Sequence, residues 1–155
     1  MAELIEKNAN KELTVNEELI WLLIRNNNSF LVKRNGAQFT SEPNNLTNLN
    51  SFKYSGLACN KTIGISHSPD NRGVIVSSKK AKVAFYKPAE STHKVTLSKG
   101  TRRSARSFTN AFTRAGYRPD LRKEALARIS AIYQTQKPVK VHARKTSRRH
   151  NRKQK

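Results

Sequence analysis

The sequence predicts an α+β fold: a small antiparallel sheet of hairpins packed with an N-terminal helix and two C-terminal helices. A basic tail, disordered when free, completes the chain. Three observations carry this reading. Short β-branched runs separated by turn formers fill the middle of the sequence. After Ser98 the apolar spacing changes to that of amphipathic helices. Beyond Pro138 only Val139 and Val141 are sizeable apolar residues, so the end of the chain cannot offset its own ordering entropy. The 155 residues divide into an extension over 1–16, one α+β domain over 17–137 and a tail over 138–155.

Residues 1–13 are polar, with Glu3, Glu6 and Glu12 against Lys7 and Lys11. Asn16 is placed to cap a helix over 17–25, where Glu17 and Glu18 suit the positive end of the helix dipole. Residues 19–24 are a continuous apolar run, expected to be buried. Asn26-Asn27-Asn28 ends it. Residues 29–34 read as a strand and 38–41 as its return. Asn35-Gly36 makes the turn between them, because both residues tolerate positive φ. Residues 50–57 read as another short strand with Phe52 and Tyr54 on one face. These rings are expected in the core; the competing use is stacking on unpaired bases, at about 1–3 kcal/mol per base. Residues 61–66 and 73–78 form a second hairpin around a turn-rich segment at 67–72. Lys79-Lys80-Ala81-Lys82 follows as a basic edge, and 83–86 and 94–97 are expected as short strands separated by Pro88.

Over 101–115, Ala105, Phe108, Ala111, Phe112 and Ala115 fall on one arc at 100° per residue. Arg102, Arg103, Arg106, Asn110 and Arg114 fall on the other. Gly116 stands where a left-handed C-terminal cap is wanted. Pro119-Asp120 opens a second helix, whose inner side is Leu121, Ala125, Leu126, Ile129, Ile132 and Tyr133. Lys137-Pro138 stops it.

Charge narrows the function. The net charge is +21 and the pI about 10.8. Residues 98–155 hold 18 Lys and Arg against Asp120 and Glu124 alone. Cations this dense repel one another unless a polyanion is bound, and nucleic acid is the expected one. The single cysteine, Cys59, allows no intrachain disulfide and reads as a small buried residue. No secretory leader is recognised, and the run at 19–24 is too short to span a bilayer, so a cytosolic or nuclear protein without membrane contact is expected. His67, His93, His142 and His150 lack zinc-site spacing, and no Gly-rich loop ends in Gly-Lys-Ser/Thr. Glu42, Asp70, Asp120 and Glu124 read as turn, cap or helix-surface residues. No catalysis, cofactor, metal or small-molecule substrate is expected.

Arginine carries a planar fork that matches phosphate, so Arg102, Arg103, Arg106 and Arg114 form an expected phosphate-tracking face, with no acid on their helix to pair with. Lys33, Arg34, Lys53, Lys61, Lys79, Lys80 and Lys82 form a second basic set around the sheet. For Lys79, Lys80 and Lys82, protection of a strand edge is the competing reading. In the tail, Lys140, Arg144, Lys145, Arg148, Arg149 and Arg152 are expected to contact phosphate.

Taken together, Trp21, Arg25-Asn26, residues 29–35, 41–46, 50–57, 61–65, 117–122 and 136–139 occur in an order that resembles the eukaryote-specific family of large-subunit ribosomal proteins numbered twenty-eight. The likeness covers about 18–141; residues 1–16 extend beyond the pattern and 78–99 depart from it. It implies a non-catalytic α+β domain bound to large-subunit ribosomal RNA and to neighbouring ribosomal proteins. It also implies a cytoplasmic ribosomal location after nucleolar transit. By the same resemblance Arg34, Asn44, Asn45, Lys53, Arg118 and Arg122 are expected RNA contacts. The alternative is an assembly factor of the same fold, similar to the Mak-sixteen family. Those factors carry a cysteine cluster and an acidic C-terminal region, where this chain has one cysteine and a basic end. A DNA-binding module is a third class, without a recognised DNA-reading motif here.

Overall fold

A computed structural model describes residues 16–80, 83, 87, 89–139 and 141. Helix α1 spans Glu17–Ile24 and is capped as expected, the Asn16 side chain accepting the Glu18 N–H at 3.1 Å. Strands β1 (Leu31–Arg34) and β2 (Ala37–Thr40) pair antiparallel with Arg34 opposite Ala37. Asn35 (φ 45°) and Gly36 (φ 78°) make the turn between them, both in the left-handed region a type I′ hairpin requires. A bridge from Phe39 to Leu49 brings the next segment alongside this hairpin.

The expected strand at 50–57 is a short 3-10 turn instead, over Phe52–Tyr54. The Tyr54 N–H bonds back to the Ser51 carbonyl at 3.1 Å, closing a local ring where a strand would reach for a partner. Both rings are half-buried: Phe52 meets Trp21 with centroids 6.1 Å apart, and Tyr54 packs on the core.

The main sheet is three-stranded, in the order β3 (Ile63–His67), β4 (Val74–Lys79), β5 (Thr92–Leu97), all antiparallel. Register puts Ile65 opposite Val76 and Val74 opposite Leu97, so β-branched side chains line one face. Because β4 is the central strand, Lys79 lies at its end rather than on a free edge. The expected strand at 83–86 falls, beyond Val83, outside the described residues.

Helix α2 (Thr101–Phe108) continues as a wider π turn over Thr109–Thr113, and α3 spans Arg122–Thr135 after a 3-10 entry at Pro119–Leu121. Both helices belong to one core with the sheet: Phe108, Leu121, Ala125, Ile129 and Tyr133 cluster with Ile63, Ile65, Val74, Val76 and Leu46. The π turn corrects the single-helix expectation. The Arg114 N–H reaches back five residues to Thr109 (2.9 Å), so residues beyond Phe108 shift around the axis. Ala111 and Ala115, expected inside, are exposed, while Phe112 stacks on Phe108 at 5.1 Å. Gly116 (φ 71°) ends the element as expected.

The apolar run at 19–24 is only partly covered. Ile20, Trp21 and Ile24 face inward, whereas Leu19, Leu22 and Leu23 are 52%, 60% and 71% exposed.

Candidate nucleic-acid interface

The clearest cationic face is on α2. A buried hydroxyl relay fixes the helix: Ser104 bonds the Tyr133 hydroxyl at 2.7 Å, and Tyr133 donates to the Leu97 carbonyl at 2.8 Å. This ties α2 to α3 and β5 through its inner side and leaves Arg102, Arg103 and Arg106 exposed on its outer side. Arg114, at the end of the π turn, is exposed as well. None of the four takes part in an ion pair among the described residues. A second cationic point is the tip of the first hairpin, where Lys33 and Arg34 are exposed beside a Gly36 that faces open space. Lys61 and Arg122 are exposed too.

Four of the expected contacts, Arg118, Asn45, Lys53 and Asn44, have internal partners. Arg118 is the most engaged. Its fork donates to both Asp120 carboxylate oxygens, to the Lys61 carbonyl (2.8 Å) and to the Lys53 carbonyl (2.8 Å). Its side chain is 16% exposed. This guanidinium clasps the entry to α3 onto two loops far away in sequence. The pairing holds the Asp120 carboxyl below its usual range. Asn45 is buried and saturated. Its amide donates to Glu42 (2.9 Å) and to the Leu49 carbonyl (3.0 Å), and its oxygen accepts from the Thr47 and Asn48 N–H groups. Lys53 pairs with Glu124 at 3.1 Å, and its ammonium lies 5.1 Å from the Tyr54 ring centre. The Glu124 carboxyl is lowered by its own backbone N–H and by donors from Lys53 and Tyr54.

Asn44 uses only the oxygen of its amide among the described residues. Its oxygen accepts the Ser77 hydroxyl at 2.9 Å, anchoring the loop on the sheet face opposite the helices. Gly64 permits that approach, since a Cβ there would meet the Asn44 oxygen. The Asn44 NH2 group has no partner among the described residues. Glu42 is likewise not a surface turn residue: it is buried and accepts from Asn45 and Ser55. Lys140, Arg144, Lys145, Arg148, Arg149 and Arg152 lie outside the described residues. Among the described residues no group of His, Cys, Asp and Glu could hold a metal, and no helix is long and apolar enough to cross a membrane. Cys59 is buried and free, and burial pushes its thiol pKa up.

Sequence reasoning missed the Ser104–Tyr133 relay and the acceptors of Arg118. The signal for Ser104 was present, a lone hydroxyl between arginines one turn from Phe108. Nothing local marks the carbonyls of Lys53 and Lys61 as partners of Arg118.

These features define a small, basic α+β domain that presents unpaired arginine and lysine on an outer helix face and a hairpin tip. The chain belongs to the Ribosomal L28e protein family, whose family model matches residues 19–135. It is 40% identical over 136 residues to a protein of Schizosaccharomyces pombe named Large ribosomal subunit protein eL28, covering 84% of this chain and 100% of the relative. Proteins of the same name from Dictyostelium discoideum and Caenorhabditis elegans are each 37% identical. The first covers 87% of this chain and 99% of the relative; the second covers 79% and 91%.

Proposed function

We propose that this chain is a structural constituent of the large subunit of the eukaryotic cytosolic ribosome, and that it binds ribosomal RNA without catalysing a reaction. The observation that carries the RNA part is the α2 face: Arg102, Arg103 and Arg106 stand outward with no acid on their element. Phosphate is the partner such a face lacks. The contact set is Lys33, Arg34, Lys61, Arg102, Arg103, Arg106, Arg114 and Arg122, extended by the cations of the 138–155 tail. Lys53 and the free amide of Asn44 contribute at its border. Asn45 and Arg118 position loops and make no phosphate contact. The division into a 17–137 domain and a 138–155 tail follows the same split between a shaped surface and a run of cations. Assembly in the nucleolus and service in the cytoplasm follow from this role.

The exposed leucines of α1 are the place for a protein neighbour. Leu19, Leu22 and Leu23 stand exposed on one side of α1, whose only charged residues are Glu17 and Glu18. An apolar patch without cations offers phosphate no partner and suits a neighbouring ribosomal protein with apolar side chains of its own.

Gradient sedimentation tests the assignment. The protein is expected to travel with mature large subunits through a moderate salt wash. Finding it only at the top of the gradient, or only with precursor particles in a pulse-chase, would overturn the proposal.

A further inference from the structure

A cleft of about 400 Å³ opens between the end of α1, strand β2 and the 3-10 turn, lined by Trp21, Arg25, Asn26, Gln38, Asn50 and Phe52. We infer that this cleft is a nucleobase pocket that receives one unstacked base of a single-stranded RNA segment. The inference rests on the RNA-binding reading above and assigns it a specific site away from the arginine face.

The chemistry of the lining supports it. The Trp21 and Phe52 rings, inclined at 46° to each other, supply an aromatic wall. Unpaired bases are recognised by stacking on such rings and by hydrogen bonds along their polar edges. The amides supply those bonds in fixed orientation. The Asn50 NH2 group donates to the Arg25 carbonyl (3.0 Å) and to the Gln38 side-chain oxygen (3.0 Å). Both of its hydrogens are thereby used. Among the described residues the Asn50 oxygen is left as a free acceptor, and the Gln38 NH2 keeps both hydrogens. Donors on one lining residue and an acceptor on another are the kinds of group that the polar edge of a base pairs with, since it carries both. The Trp21 indole N–H has no partner among the described residues either, and Arg25 is exposed at the rim for the attached phosphate.

Trp21 is the only tryptophan, so the site carries its own reporter. The full chain is titrated with a single-stranded RNA hexamer, with an abasic ribose-phosphate strand of equal length, with an RNA duplex and with a mononucleotide. Binding is followed separately by anisotropy of labelled RNA. The hexamer is expected to quench Trp21 in a saturable way, while the abasic strand and the duplex bind through the arginines without quenching. Gln38 is exposed, so Gln38→Ala keeps the fold. It is expected to raise the half-quenching concentration about fivefold or more, leaving duplex binding unchanged. Phe52→Leu is expected to act in the same direction.

Quenching by the abasic strand equal to that of the hexamer overturns the pocket, and so does hexamer binding without quenching. A mononucleotide that quenches at the same concentration as the hexamer overturns the strand as ligand. If no RNA binds at all, the RNA-binding reading itself fails.

Discussion

Replacing Arg118 by alanine separates a clasp from a phosphate contact. The substitution removes the ion pair to Asp120 and the hydrogen bonds to the Lys53 and Lys61 carbonyls. Hydrogen bonds to charged groups contribute about 1.5–3 kcal/mol each, and water admitted to the site recovers part of that. The net destabilisation is about 2–4 kcal/mol. For a domain with an m-value of about 2 kcal/mol per molar urea, the midpoint falls by roughly 1–2 M. Urea unfolding followed by Trp21 fluorescence reads this directly. Arg122→Ala, four residues on and exposed, is the control, with stability expected to stay within about 0.5 kcal/mol. An unchanged midpoint for Arg118→Ala, together with a shallower salt dependence of RNA binding, would refute the clasp and return Arg118 to the contact set.

Other outcomes follow from the same geometry. Changing Arg102 and Arg106 together to alanine is expected to leave the fold intact and to make the salt slope of RNA binding shallower by about 1.4–1.8, since each phosphate neutralised by a cation adds about 0.7–0.9 to that slope. Deleting residues 140–155 is expected to flatten the slope further without shifting the urea midpoint. Phe108, 1% exposed, is expected to cost about 3–5 kcal/mol as Phe108→Ala, measured by the same unfolding. Asp120 and Glu124 titrate below their ordinary values in the folded protein, so their stabilisation is complete above the unfolded carboxylate range, about pH 4, and is lost as pH falls through the folded values. The urea midpoint is therefore expected to be flat between about pH 6 and 8 and to drop in acid, less steeply in Asp120→Asn.

The elements with a local chemical cause were legible in the sequence. Asn16 caps α1, Asn35-Gly36 turns the first hairpin, Gly116 ends the second helical element and Pro119 opens the third. The alternating β-branched residues of β3 and β4 were legible for the same reason. What escaped depends on partners distant in sequence. Phe52-Lys53-Tyr54 alternates like a strand, yet no neighbouring strand offers it a ladder among the described residues, and a local turn wins. The π turn after Phe108 accompanies the Phe108, Phe112 and Tyr117 ring contacts, which spacing at 100° per residue cannot register. The charge of Arg118 looks like that of Arg122 in sequence. Only the fold brings carbonyls from residues 53 and 61 to one of them. Electrostatic reading thus located the basic surface but could not tell a solvent-facing cation from one already engaged.

RNA binding by these surfaces is read out by cross-linking RNA to protein in purified large subunits and mapping the adducts by mass spectrometry. Ribosomal RNA adducts are expected on the segments carrying Lys33 and Arg34, Arg102 to Arg114, and the 140–155 tail. Large subunits that contain the protein but yield no RNA adduct on any of these segments would contradict that binding.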